Sequence, residues 1–140
     1  MARSIRTEIL IEAPAEAVWS VLTDFPSHTG WDPFLTGIEG EATVGRRLSV
    51  RFQNGMTIRP TVTEVKEGRV LEWFGKLLFG GIFDGRHRFE LISEGSATRF
   101  VQSEQFSGVL VPLVKKLLRD TEKNFEALNV ALKKRVEQPA

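Results

Sequence analysis

HRFELISEGSATRFVQSEQF, residues 87–106, holds the decision about the fold. Apolar and polar residues alternate on both sides of Glu94-Gly95-Ser96, the pattern of two half-buried antiparallel strands joined by a tight turn. A turn at these three residues sets Leu91 across from Phe100, Phe89 across from Gln102 and His87 across from Glu104. Phe89, Leu91, Phe100 and Phe106 then share one face, which must be turned to the core. The same face carries His87, Gln102 and Glu104, three polar groups that ordinary apolar packing disfavours.

Upstream, residues 37–78 continue as strands. Residues 46–54 alternate, with Leu48, Val50, Phe52 and Asn54 on one side and Arg47, Ser49, Arg51 and Gln53 on the other. Asn54-Gly55 is a hairpin signal, because both residues tolerate positive φ. Met56–Val65 reads as one strand that Pro60 places at an edge or on a bulge, since proline gives no ladder donor. Glu67-Gly68 turns the chain into strand 69–78, with Leu71 and Trp73 opposite Glu72 and Lys76; Gly80-Gly81 ends it. At the start of the chain, residues 4–12 form a strand with Ile5, Thr7, Ile9 and Ile11 inward. A helix over 14–23 follows, with Pro14 in its first turn, and FPSHTGWDPF, residues 25–34, forms a short helix or turn and an irregular loop. In that loop His28 is expected to be exposed and Asp32 to serve its turn.

From about Val111 onward, Val114, Leu117, Leu118, Thr121, Phe125, Leu128 and Leu132 step by three or four, the apolar stripe of one long helix. Strand, two helices, a run of antiparallel strands and a long helix make an α+β order. The expected architecture is a curved antiparallel sheet of about seven strands wrapped around the C-terminal helix, in one domain over residues 1–140. Space left between sheet and helix is the natural ligand cavity.

Composition narrows the chemistry. A net charge of +1 gives no global electrostatic case for nucleic acid. Cysteine is absent, which excludes disulfides and thiolate chemistry, and tyrosine is absent too. Two histidines far apart give no metal-ligand spacing, so neither a metal nor a cofactor is expected. No apolar run reaches membrane-spanning length, and the expected setting is the cytoplasm. Lys115, Lys116, Arg119, Lys123, Lys133, Lys134 and Arg135 give the last helix a basic face. That face is either simply solvated or a contact for an acidic protein partner.

IEAPAEAVWSVLTDFPSHTGWDPF near the start, LEWFG at 71–75, HRFEL at 87–91 and SEQFSGVL at 103–110 together resemble the START-like (helix-grip, SRPBCC) superfamily, in its polyketide cyclase/dehydrase branch. The resemblance covers residues 3–133. It implies a helix-grip fold and, as partner, a small hydrophobic molecule of lipid-like or polyketide-like kind. It leaves a homodimer open and implies neither nucleic-acid binding nor stable membrane insertion. Because this superfamily holds both carriers and enzymes, the fold does not choose between them.

Within that frame His87 and Glu104 have three readings: a buried pair that staples two strands, an anchor for the polar end of a ligand, or an acid/base pair of a cyclase or dehydratase. A carboxylate neighbour raises a histidine's pKa while desolvation lowers it. Trp31 and Phe34 form either a gate over the cavity or a plug for the open end of the sheet. Phe52, Met56, Trp73 and Phe89 are expected on the concave face, either as cavity lining or as plain core packing, with Gln102 among them and Leu117, Leu118 and Thr121 of the helix opposite. Arg51 should point outward, and the glycines near 80–85 sit between strands, outside any nucleotide-binding context.

Overall fold

The hairpin at 87–106 forms with the expected register. In the computed structural model, which describes residues 2–76, 84–108 and 115–138, β7 (Asp84–Glu94) and β8 (Ala97–Ser107) pair antiparallel. Leu91 lies across from Phe100, Phe89 from Gln102 and His87 from Glu104. Gly95 turns the chain at φ 65°, a conformation that side chains with a Cβ rarely adopt.

β8 also pairs along its full length with β1 (Ala2–Ile11), and β7 pairs with β6 (Val70–Lys76), which pairs with β5 (Thr61–Lys66). The result is a five-stranded sheet in the order β1-β8-β7-β6-β5. β2 (Leu35–Glu39), β3 (Ser49–Phe52) and β4 (Thr57–Ile58) form a second sheet in that order. Its β3–β4 hairpin turns where the Asn54-Gly55 signal places it, with positive φ at Gly55 (91°) and not at Asn54.

The strand expected over Met56–Val65 is instead two strands, one in each sheet. The chain changes sheets at Arg59-Pro60, where proline supplies no N–H and its carbonyl accepts from Leu48 N at 2.8 Å. That bond, Val62 N to Arg46 O at 2.8 Å and the bridge between Arg47 and Thr61 tie the sheets together. The strand expected over 46–54 is shorter, Ser49–Phe52. Gly80-Gly81, and Val111, Pro112 and Val114 of the expected helix start, lie outside the described residues.

α1 (Ala15–Thr23) begins after Pro14, which stands at its cap, and a 3₁₀ turn (Phe25–Gly30) follows. α2 (Lys115–Glu137) packs chiefly on β1, with α1 beside it. Its buried line is Leu118, Phe125, Asn129 and Leu132. Leu117 was expected in that stripe but is 50% exposed: it stands one residue, or about 100°, round the helix from Leu118.

Two apolar clusters result. The larger joins Ile11, Leu22, Leu71, Trp73, Phe89 and Phe100 with neighbours from every layer, and the smaller joins Ile5, Phe106, Leu118 and Phe125. A fully buried side chain such as Phe100 contributes roughly 2–3 kcal/mol. Along β8 the order Phe100, Gln102, Glu104, Phe106 sets two polar residues between the two clusters.

His28, expected to be exposed, is instead 4% exposed. Its Nε2 donates to the carbonyl of Leu22 at 2.6 Å, satisfying one of the carbonyls that the end of α1 leaves unpaired. The ring lies edge-on to Phe25 and tilted against Trp31. Asp32 holds the following turn, its Oδ1 accepting from Phe34 N at 2.8 Å and Leu35 N at 3.2 Å. Its other oxygen stands 3.5 Å from His28 Nδ1.

Candidate functional site

Four elements bring the inner polar residues together. His87 comes from β7, Gln102 and Glu104 from β8, and Asn129 from α2 reaches across to Thr7 of β1. Gln102 is fully buried. Its Nε2 donates to Phe125 O at 3.3 Å and to Asn129 Oδ1 at 2.9 Å, and Asn129 Nδ2 donates to Thr7 Oγ1 at 2.9 Å.

This chain fixes the imidazole. A backbone carbonyl only accepts, so the Gln102 atom beside Phe125 O must be its nitrogen, and Oε1 must face His87. His87 Nε2, 2.8 Å from that oxygen, is therefore the donor. The Nδ1 lone pair is left pointing toward Glu104 Oε1 at 3.6 Å, just beyond hydrogen-bond length.

The surroundings of the ring are apolar. His87 stacks between Phe89, with centroids 4.4 Å apart, and Phe125, at 4.8 Å, while Trp73 meets it edge-on at 5.5 Å. Burial pushes the imidazole pKa down to about 4, against a weaker upward pull from Gln102. Burial pushes the Glu104 carboxyl up to about 8. Desolvation thus outweighs the mutual attraction of the pair, and near neutral pH both groups are uncharged. Apart from the approach to His87, the Glu104 carboxyl has no hydrogen-bond partner among the described residues. The two side chains nevertheless keep 14% and 11% of their surface open.

Charge lies on the opposite face of the sheet. Arg88 bridges Glu64 at 2.8 Å, Glu72 at 3.0 Å and Glu90 at 3.0 Å, and Arg86 joins Glu72 at 3.0 Å. Burial alone would raise the Glu72 carboxyl, but its bonds from Thr63, Arg88 and Arg86 leave it below the usual range. Arg51 points outward as expected and pairs with Glu39.

The remaining expected lining residues are placed unevenly. Trp73 and Phe89 are buried in the larger cluster, with Trp31 and Phe52 half-buried against it. Trp31 Nε1 is buried without a partner among the described residues. Phe34 is half-buried and Leu118 lies in the smaller cluster. Thr121 is half-buried, its hydroxyl spent on Leu117 O at 2.8 Å. Met56 does not line the interior: it leaves the β3–β4 turn 48% exposed, as Leu117 leaves α2. Lys115, Lys116, Arg119 and Lys123 are exposed, Lys116 paired with Asp120 at 2.9 Å.

Sequence reasoning missed Asn129 and Phe125 as parts of the site, and it read Thr7 only as an inward residue. Their signal was present: Asn129 sits four residues after Phe125 and three before Leu132, a polar residue within the apolar stripe.

Two surface openings lie elsewhere. One of about 340 Å³ runs between β1 and α2 and reaches Thr7 and Asn129, the outer end of the amide chain. The other, of about 680 Å³, lies beside Trp19 of α1 and the β5–β6 turn. Neither is lined by His87 or Glu104. Among the described residues no three His, Asp or Glu side chains gather as metal ligands do, and no helix is long and apolar enough to cross a membrane.

Comparison with known proteins gives a family match over nearly the whole length. The family described as "Polyketide cyclase / dehydrase and lipid transport" matches residues 2–137. Solved structures share the fold. A protein of Mesorhizobium loti superposes with TM-score 0.83 at 18% identity, covering 99% of each chain. The norcoclaurine synthase of Thalictrum flavum gives TM-score 0.79 at 17% identity, covering 99% of this chain and 96% of its own. The Zhui aromatase/cyclase of a Streptomyces species gives 0.77 at 19%, covering 99% and 95%. Comparison with curated proteins found no match.

Proposed function

Because the chain belongs to the polyketide cyclase/dehydrase and lipid transport family, we propose that it binds a small, mainly apolar molecule between the sheet and α2, with His87 and Glu104 as polar anchor. One observation carries this reading. Glu104 is turned inward and has no hydrogen-bond partner among the described residues, yet part of its surface is open. Buried polar groups are rarely left unpaired, and one that borders free space is suited to a guest. Trp73, Phe89 and Phe125 supply the apolar walls. Native mass spectrometry of the protein equilibrated with a library of apolar compounds tests the reading. Retention of a one-to-one guest, lost on Glu104→Leu, is the expected result; retention of none contradicts it.

A second reading is favoured by the opposed displacement of the two equilibria, with Glu104 up to about 8 and His87 down to about 4. At neutral pH this gives a carboxylic acid beside a free imidazole base, the assignment an acid/base catalyst needs. In dehydration of a β-hydroxyketone, His87 Nδ1 takes a proton from the carbon between carbonyl and carbinol. The C=C bond forms as the C–O bond breaks, and Glu104 gives its proton to the departing hydroxyl, releasing water. The proton on Nδ1 then returns to Glu104 across the 3.6 Å gap. Turnover of a β-hydroxyketone that survives His87→Ala unchanged would remove this role.

A further inference from the structure

We propose that the interior site selects an uncharged guest with a hydrogen-bond acceptor, a ketone being the simplest, and rejects a carboxylate of the same size. The inference rests on the binding reading above and adds the chemical class of the guest.

Thr7, Asn129 and Gln102 spend their inner hydrogen bonds on one another, and Gln102 takes the Nε2 proton of His87. The atoms that remain are the Glu104 carboxyl and the Nδ1 lone pair. Nδ1 offers no proton to an anion. Beside His87 the donor offered to a guest is the Glu104 hydroxyl, and burial keeps the carboxyl in its acid form at neutral pH.

No cation stands by to meet a negative guest. From β7 the group facing Glu104 is His87, and from β1 it is Ile5, with Arg3 in the same row at the strand's exposed end. From α2, Leu118 and Phe125 border the smaller cluster, and Asp120 is engaged by Lys116 outside it. The half-buried cations Arg86, Arg88, Arg99 and Lys133 are held by Glu72, Glu64, Glu94 and Glu137. Arg135 lies against Gly30. All remaining lysines and arginines are exposed. The segments 77–83, LLFGGIF, and 109–114, VLVPLV, contain no ionisable residue. A carboxylate beside Glu104 would thus meet apolar walls and no positive partner, next to a second carboxyl group. Burial of a charge without a partner is among the costliest changes a site can make. A ketone brings no charge and accepts the Glu104 proton.

The test uses acetonaphthone, naphthoate and naphthalene as matched probes on the wild-type chain and on Glu104→Gln, by calorimetric or fluorescence titration at pH 6.5 and pH 9. Acetonaphthone should bind the wild type at pH 6.5 at least about tenfold more tightly than naphthoate, given the cost of an unpaired buried charge. At pH 9 its affinity for the wild type should fall, because Glu104 has lost its proton. Glu104→Gln, which keeps a neutral N–H donor, should bind it equally at both values. Naphthoate binding as tightly as acetonaphthone would overturn the selectivity and leave the binding reading standing. If none of the three probes binds, the binding reading fails and the inference falls with it. The wild-type comparison needs no variant, so a folding defect in Glu104→Gln does not blunt it.

Discussion

Replacing Glu104 by glutamine should alter how stability depends on pH, because one buried acid would no longer have to keep its proton. The carboxyl titrates near 4.5 when unfolded and at about 8 when folded. Between these values the folded state binds the extra proton, so the stabilisation is complete below about 4.5 and is lost as pH rises to about 8. At about 1.4 kcal/mol per pH unit the whole gap corresponds to roughly 5 kcal/mol, and the part of it that falls between pH 6 and about 8 to about 2–3 kcal/mol. His87 works in the opposite sense: with its pKa lowered to about 4, it contributes stability above about 6.5 that is lost as pH falls. Wild-type stability from this pair should therefore peak between about pH 4.5 and 6.5, and the variant should lack the alkaline decline. Urea unfolding at pH 6, 7, 8 and 9 measures it, with every other titrating group common to both proteins. The variant should gain about 2–3 kcal/mol relative to the wild type between pH 6 and pH 9. Parallel curves across that range would refute the assignment of Glu104 as a buried neutral acid.

Gln102→Leu should cost about 2–4 kcal/mol in urea unfolding, since it strands His87 Nε2 and Asn129 Oδ1; a loss below about 1 kcal/mol would contradict the amide chain. His28→Ala should cost about 2–3 kcal/mol by the same measurement, because it empties a packed position and unpairs the Leu22 carbonyl. Arg88→Met on the outer face removes one of two arginines from Glu72. It should cost about 1–2 kcal/mol at pH 7, with the difference shrinking as pH falls and the carboxylates take up protons. A deficit unchanged down to pH 3 would remove the charge argument.

What the sequence disclosed followed the range of the forces involved. The register of His87 with Glu104 was readable because a tight turn at Gly95-Ser96 and strict alternation leave one pairing that buries Phe89, Leu91 and Phe100 together. Thr7 was readable as inward for the same reason. Its bond to Asn129 was not, because the two residues are 122 positions apart and only the packing of α2 on β1 brings them together. His28 was misread because its neighbours Pro26, Ser27 and Thr29 are polar or turn-forming; the carbonyl that buries it lies at the end of the preceding helix. Met56 and Leu117 followed the right periods but stand at a turn and just off the stripe, where one residue decides the direction. Pro60 signalled an irregular strand, though not that the chain would change sheets there.

The central claim, an uncharged pair bordering a chamber that takes a guest, is tested most directly by nitrogen NMR of the imidazoles at pH 6.5, with and without acetonaphthone. The chain has two histidines, so the spectrum is readily assigned. His87 should appear as the neutral form protonated on Nε2, and its Nδ1 signal should move when the probe is added while His28 stays in place. A charged His87 at that pH, or a Nδ1 signal unmoved under saturating probe, would contradict the account.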